Sequence, residues 1–395
     1  MSEIKELIER LCPDGVEYKK LGEVAKRLRG TPITATTMKK IATEEGEIKV
    51  FAGGKTVINA HLKDIPNANI ITVPSVLCQS RGVIDFIYYD KPFTFKNEMW
   101  AYTLDNNVSV KYIYYVLKQN VMYFRDKATA MGAFPQISIP DTEKFEIPVP
   151  PLPVQAEIVR ILDKFTSLEA ELEAELEARR KQYEYYRNQL LTFDKVGGAR
   201  FDVKWMTLGE IGEMIKGSGI QKSDFVEDGY PCIHYGQLHT FFGTFADKNK
   251  SFIKKDLYDR CKKAVYGDLI IASTSEDVEA CCKATAWLGG EVAISGDAHI
   301  FHHYQNPKYI AYFFQTDDFA KQKRKYASGV KVVRVSSDNL AKIVIPIPPL
   351  EEQKRIVAIL DRFEALTTDL QSGLPAEIEA RRKQYEYYRE KLLTF

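Results

Sequence analysis

A chain of 395 residues with 55 Lys and Arg against 54 Asp and Glu carries a formal net charge of +1, so neither a uniformly basic surface nor an acidic tail can be read from its balance. At 45% hydrophobic and 12% aromatic it is too apolar for intrinsic disorder, and its length suggests roughly two to three domains, each able to bury its own core. No apolar run approaches the roughly 20 residues of a membrane span. The start lacks the apolar core of a signal peptide, and the six cysteines show no CxxC spacing, so a cytoplasmic protein with reduced thiols is expected.

The chain opens on Ile4, Leu7, Ile8 and Leu11, the spacing of an amphipathic helix. A block follows that mixes β-rich runs such as Ile70-Ile71-Thr72-Val73 with a helical pattern over Val110 to Leu117. Prolines at 148, 150, 151 and 153 forbid helix upstream of about Val154. Beyond them Ile158, Ile161, Phe165, Leu168, Leu172, Leu176, Tyr183, Tyr186, Leu190 and Phe193 fall at alternating three and four spacing, with Arg179 filling the gap. That is a coiled-coil seam on a helix of about 40 residues, about 60 Å long. The second block carries further β-rich runs at Asp268 to Ile271 and Ile343 to Ile345. A second seam runs through Ile356, Ile359, Phe363, Leu366 and Leu370, then Ile378, Tyr385, Tyr388, Leu392 and Phe395, and Ser372-Gly373-Leu374-Pro375 should break it.

The two halves are copies. Glu177 to Arg187 and Glu379 to Arg389 both read EARRKQYEYYR, IPVPPL at 147–152 answers IPIPPL at 345–350, and Leu21-Gly22-Glu23-Val24 with Gly30 answers Leu208-Gly209-Glu210-Ile211 with Gly217. The expected fold class is α+β: two globular blocks (1–150 and 194–346) and two long helices (151–193 and 347–395), an internal pseudo-two-fold repeat. Each helix is an apolar strip too long for one small domain to cover, so the helices are expected to pair with each other as an antiparallel coiled coil. The N-terminal helix is expected to dock near the last one.

This arrangement resembles the specificity subunit of type I restriction-modification systems: two variable blocks, each followed by a PPL segment and a long helix ending in EARRKQYEYYR and LLTF. The opening Cys12-Pro13-Asp14-Gly15-Val16-Glu17 with Leu21-Gly22-Glu23-Val24 is similar to that family's as well. The resemblance covers essentially the whole chain. It implies that each block is a target-recognition domain reading one half of a bipartite site on double-stranded DNA, with the helices as spacer. It also implies docking of two methyltransferase subunits, with restriction subunits joining outside, and no catalysis by this chain alone. S-adenosylmethionine, Mg and ATP would then sit on the partners, and no cofactor or metal on this chain. The internal repeat LEAE at Leu168 and Leu172, closing as LEAR at Leu176, resembles the family's variable-copy repeats. Four helical residues over-rotate by about 40° and advance about 6 Å. One base-pair step turns about 35° and rises about 3.4 Å, so the rotations match and the translations do not.

The residues themselves supply no catalytic set. Both Pro-Pro pairs are followed by leucine, where an adenine methyltransferase loop needs an aromatic; Gly53-Gly54-Lys55-Thr56 lacks the earlier glycine of a phosphate loop; and Pro13-Asp14 with Glu17 and Lys19 is too short for a nuclease signature. His299, His302 and His303 have no matching ligand spacing and read as ordinary histidines. The alternatives are a stand-alone enzyme acting on DNA and a coiled-coil scaffold without a DNA role.

Base readers need Arg, Asn or Gln on exposed turns. In the first block Gln79, Ser80 and Arg81 follow a strand-like run, with Lys96, Asn97 and Gln136 as further candidates; in the second, Ser273, Thr274 and Ser275 follow the run Asp268 to Ile271, and Tyr235 and Gln237 lie in an aromatic-rich turn. Lys321, Lys323, Arg324, Lys325, Lys331 and Arg334 fall in an acid-free stretch suited to phosphate contact.

Overall fold

The computed structural model describes residues 2–54, 56–131, 134–193, 203–329, 331–369 and 372–395; Lys55 of the glycine-rich string and Leu370 of the second seam lie outside them. The chain divides into two compact units, Met1–Glu173 with Ile378–Phe395, and Ala174–Glu377. The fold is α+β.

The prolines set the start of the central helix as their chemistry demands. It runs Leu152–Leu191, 40 residues, with Pro153 in the first turn, where its missing N–H has no intrahelical acceptor to lose. The second helical segment is two helices, Leu350–Thr368 and Leu374–Leu393. Gly373 sits at the break because a Cβ there would overlap the carbonyl oxygens of Ala365, Leu366 and Asp369.

In the first unit four antiparallel strands, Lys26–Arg29, Trp100–Thr103, Ser75–Gln79 and Asp85–Tyr89, lie in that order. A smaller sheet pairs Ile48–Phe51 with Val57–Ala60 and with Phe93–Phe95. One core gathers Val76, Phe86 and Tyr102 of the first sheet, Val154, Ile158 and Leu162 of the central helix, Ile4 of the N-terminal helix (Ser2–Leu11), and Leu392 and Leu393 of the last helix. The start and the last helix of the chain therefore meet, as the amphipathic pattern led one to expect.

Within this unit the two long helices pair antiparallel. Phe165 stacks on Tyr388 at 5.4 Å, and Arg382 bridges Glu169 at 2.5 Å and also Glu173, so residue numbers rise on one helix as they fall on the other. The leucines of the tetrapeptide repeat, Leu168, Leu172 and Leu176, are only half-buried.

The second unit repeats this plan. Gly212–Lys216, Ala298–His303, Leu269–Ala272 and Ala284–Trp287 form the antiparallel run, extended by Phe245–Ala246 in parallel. Its core holds Ile356, Val357 and Leu360 of one helix with Tyr183 and Leu191 of the central helix, and Tyr186 stacks on Phe363 at 5.5 Å. Each long helical segment thus begins by packing on its own block, and the EARRKQYEYYR copy of each half stacks on the phenylalanine of the other half's helix.

The frame repeats hydrogen bond by hydrogen bond. Tyr112 donates to the Pro148 carbonyl at 3.1 Å, and Tyr309 to Pro346 at 2.8 Å. Gln155 caps Pro150 at 2.8 Å as Gln353 caps Pro348 at 2.9 Å. Asp163 accepts from Lys111 and Tyr115, as Asp361 does from Lys308 and Tyr312. Tyr18–Lys20 pairs with Glu146–Pro148 as Lys204–Thr207 pairs with Val344–Ile347. Gly30 and Gly217 answer each other because a Cβ would strike the Phe95 carbonyl in one unit and the Ser295 carbonyl in the other. All six cysteines are free thiols.

Candidate nucleic-acid interface

The register of the strands fixes which residues of the two units are equivalent. Arg29 lies opposite Trp100, and Lys216 opposite His299, each followed by the crowded glycine. Counting from there, Ser80 corresponds to Ser273, since the Ser80 hydroxyl donates to the Glu98 carbonyl and the Ser273 hydroxyl to the Asp297 carbonyl. Both serine carbonyls accept from a second chain segment, from the Ile137 amide at 3.0 Å and the Val335 amide at 3.3 Å. The next residues are then Arg81 opposite Gln136 and Thr274 opposite Arg334.

In the first unit this crossing of two chain segments forms one wall of a groove of about 720 Å³, lined by Arg27, Arg29, Asn69, Arg81, Asn97 and Gln136 among others. The turn at Gly82 (φ +77) is pinned by its amide to the Pro135 carbonyl at 2.9 Å. Arg81 directs Nε (3.0 Å) and Nη2 (2.8 Å) at Gln136 Oε1. Arg27 pairs with Glu143 at 2.9 Å, and Asn69 donates to the Gly30 carbonyl at 2.9 Å. Lys96 is paired with Glu98 at 2.9 Å and faces a neighbouring hollow beside Gly53, Gly54 and Phe134. Burial works against the Glu98 charge, but hydrogen bonds from Lys96 and the backbone outweigh it and keep the carboxyl below its ordinary value.

Ser80, Arg81, Asn97 and Gln136 are therefore brought together, and Lys96 is next to them. Gln79 and Ser80, both expected on an exposed turn, are buried: Gln79 is the last residue of its strand and donates to the Gly54 carbonyl at 2.6 Å, and the Ser80 hydroxyl is taken up by the Glu98 carbonyl. Pattern reading passed over Arg27, Arg29 and Asn69. The alternation of Arg27 and Arg29 just before Gly30, repeated as Lys216 before Gly217, was the available signal.

The second-unit candidates fall in three places. Ser273 and Thr274, also expected on an exposed turn, are buried; Thr274 pairs with Arg334 and Ser275 with Val333, and the Thr274 hydroxyl has no partner among the described residues. Gln237 is a helix cap, accepting from the His234 amide at 3.0 Å and donating to Ser251 at 2.6 Å, and the Tyr235 amide donates to the Ser295 hydroxyl. The helix Asp317–Tyr326 presents Lys321, Arg324 and Lys325 to solvent, Arg324 being forked on Glu279, and Lys331 is exposed beyond it. Lys323 does not join that basic face. It is 4% exposed, with its ammonium between the carbonyls of Glu279 (2.8 Å) and Cys281 (2.9 Å), because its spacing from Phe319 puts it on the inward face.

The three neighbouring histidines are separated by strand alternation. His302 meets Asp268 at 2.5 Å on one face, whereas His299 and His303 lie on the other. Burial drives His303 down to about 4, and burial followed by Lys216 lowers His299. Among the described residues no three His, Cys, Asp or Glu side chains cluster as metal ligands, and no helix is long and apolar enough to cross a membrane.

Comparison with known proteins agrees with this geometry. The family model described as type I restriction modification DNA specificity domain matches residues 13–178 and again 202–380. The chain is 33% identical over 419 residues to the EcoR124I/EcoR124II specificity subunit of Escherichia coli, covering 100% of this chain and 98% of that one. It is 36% identical over 270 residues, 64% of each chain, to a putative type I restriction enzyme specificity subunit of Haemophilus influenzae. The crystal structure of the S subunit from M. genitalium shares the fold at a TM-score of 0.58 and 16% identity over 96% of this chain and 97% of that one. The duplicated frame, the two matched domains and the full-length relative lead to one assignment: the chain belongs to the type I restriction-modification DNA specificity family.

Proposed function

We propose that each unit reads one half of a bipartite double-stranded DNA site, that the helices set the spacer between the halves, and that two methyltransferase subunits dock on the duplicated helical copies. The observation that carries the reading is the repetition of one frame with a different lining. Arg27, Arg29, Arg81, Asn97 and Gln136 in the first unit stand where Met214, Lys216, Thr274, Gly296 and Arg334 stand in the second. A repeated scaffold with altered polar side chains suits two different half-sites. The local cationic lining also answers the near-zero net charge, since phosphates are met by patches rather than by the average.

Docking of two like partners is supported by the outward letters of the duplicated string. Lys181, Glu184 and Tyr185 are exposed, as are Lys383, Glu386 and Tyr387. Their contacts stay within the same helix, as in the Lys181–Glu177 and Lys383–Glu379 pairs, so packing on the blocks does not require their identity, and two identical outward faces offer one partner two equivalent sites. Restriction subunits join outside this core complex. In this reading S-adenosylmethionine, Mg and ATP are held by the partners, and the assembly works in the cytoplasm.

The test is co-expression with the neighbouring methyltransferase and mapping of methylated adenines by single-molecule sequencing. A two-part motif with a fixed gap is expected, and replacing Lys20–Glu146 by another block should change one half of it only. A stable complex that methylates no such motif would overturn the reading.

A further inference from the structure

The crossing of two chain segments in each unit presents a single arginine, but from opposite segments. In the first unit it is Arg81, on the segment that leaves the strand Ser75–Gln79; in the second it is Arg334, on the segment that crosses it. Directly opposed residues of an antiparallel pair project on the same side with Cβ atoms about 5 Å apart. Exchanging the arginine between the two positions therefore moves a guanidinium by no more than its own reach.

The two settings are chemically complementary. Gln136 Oε1 takes the Nε and one Nη2 hydrogen of Arg81, which leaves Nη1 and the second Nη2 hydrogen as a fork, already oriented, with no partner among the described residues. Thr274, in the place of Arg81, is short and buried, and Arg334 opposite it is exposed with no side-chain partner among the described residues. A free guanidinium fork matches the O6 and N7 acceptors of guanine in the major groove.

Resting on the reading of each unit as a half-site reader, we propose that Arg81 and Arg334 are equivalent specificity residues, each reading a guanine in its own half-site. Gln136 acts as the positioning residue that holds the first of them. Arg29 and Lys216, equivalent and both cationic, serve the sequence-independent contact to phosphate.

Methylation motifs of the assembled complex decide the matter for the parent protein and for Arg81→Ala, Arg81→Lys, Arg334→Ala and Arg334→Lys. Co-purification with the methyltransferase serves as the check that each variant folds. Either Arg81 variant should relax one guanine in one half of the motif, lowering discrimination there roughly ten- to a hundredfold. Either Arg334 variant should do so in the other half, and the lysines should fail as the alanines do, because they keep the charge and lose the fork. The double variant Thr274→Arg with Arg334→Gln, which rebuilds the first unit's arrangement in the second, should retain the guanine. A two-part motif that both alanine variants leave intact would overturn the assignment while sparing the half-site reading. So would a uniform fall in methylation with every base preference unchanged, which is the signature of phosphate contact. A parent complex without a two-part motif would overturn both.

Discussion

The two units hold themselves together with the same contacts and differ where those contacts end. Tyr112 and Tyr309, Gln155 and Gln353, and Asp163 and Asp361 make equivalent bonds, while the side chains at the crossing of the two segments are exchanged. Positions that satisfy buried backbone are constrained by the cost of leaving an amide or carbonyl unpaired. Positions on the rim are constrained only by what they meet. A duplicated recognition protein can therefore diverge in its reading without diverging in its frame.

The largest expected effect tests whether the frame is energetically equivalent. Leu162 and Leu360 occupy the same place in their units and are fully buried. Leu162→Ala and Leu360→Ala should each cost about 2–5 kcal/mol. Hydrogen exchange resolved along the chain should find the loss confined to the unit that carries the change. A loss spread evenly over both would mean that the units are one folding entity.

Acid should separate the units more than any other condition. His303 has an ordinary value of 6.5 and is brought to about 4 by burial; its first-unit counterpart in the strand register is Leu104, which does not titrate. Unfolding frees His303 to take up a proton, so its contribution to stability is present above about 6.5 and is lost as the pH falls towards 4. The share of His303 in that loss is about 3 kcal/mol. Glu47 in the first unit, held near 2 by the Leu62 amide, its own backbone and His61, matters only below its ordinary 4.5. Between these limits protection from exchange should fall in the second unit alone, and His303→Gln should reduce that fall, leaving the smaller shares of His299 and His234, which burial also lowers.

The frame was largely legible in the sequence because helices declare their period. The seam from Ile158 to Leu190, its proline-limited start and the break at Gly373 were all readable as spacing, although the helix ends at Leu191, two residues short of the Phe193 the seam had included. The site was not. Arg81 meets Gln136, and Thr274 meets Arg334, across stretches of chain whose pairing depends on strand register, and no local pattern encodes that. Gln79, Ser80, Ser273 and Thr274 have the chemistry of surface turns but are buried in or beside strands. Lys323 shows the same gap from the other side: charge marked it as surface, while its four-residue spacing from Phe319 had already turned it inward.

Two smaller asymmetries sharpen the comparison within the frame. Tyr115 donates to Asp163 at 2.5 Å, whereas Tyr312 lies 2.7 Å from both Asp361 and Glu364. Asp163→Asn should therefore cost about 1–3 kcal/mol in chemical denaturation, and Asp361→Asn less, because Glu364 remains to accept the tyrosine proton. The smallest effect belongs to the helical copies. Arg382 bridges Glu169 and Glu173, but its copy Arg180 forms no ion pair among the described residues, since the position equivalent to Glu169 is Thr367. The Arg382 pairs are half-exposed, so Arg382→Ala should cost about 0.5 kcal/mol at low salt and almost nothing at high salt, and Arg180→Ala nothing at either. Equal costs for the two arginines would mean that the identical strings are held by identical surroundings, contrary to the pairing of each string with a different helix.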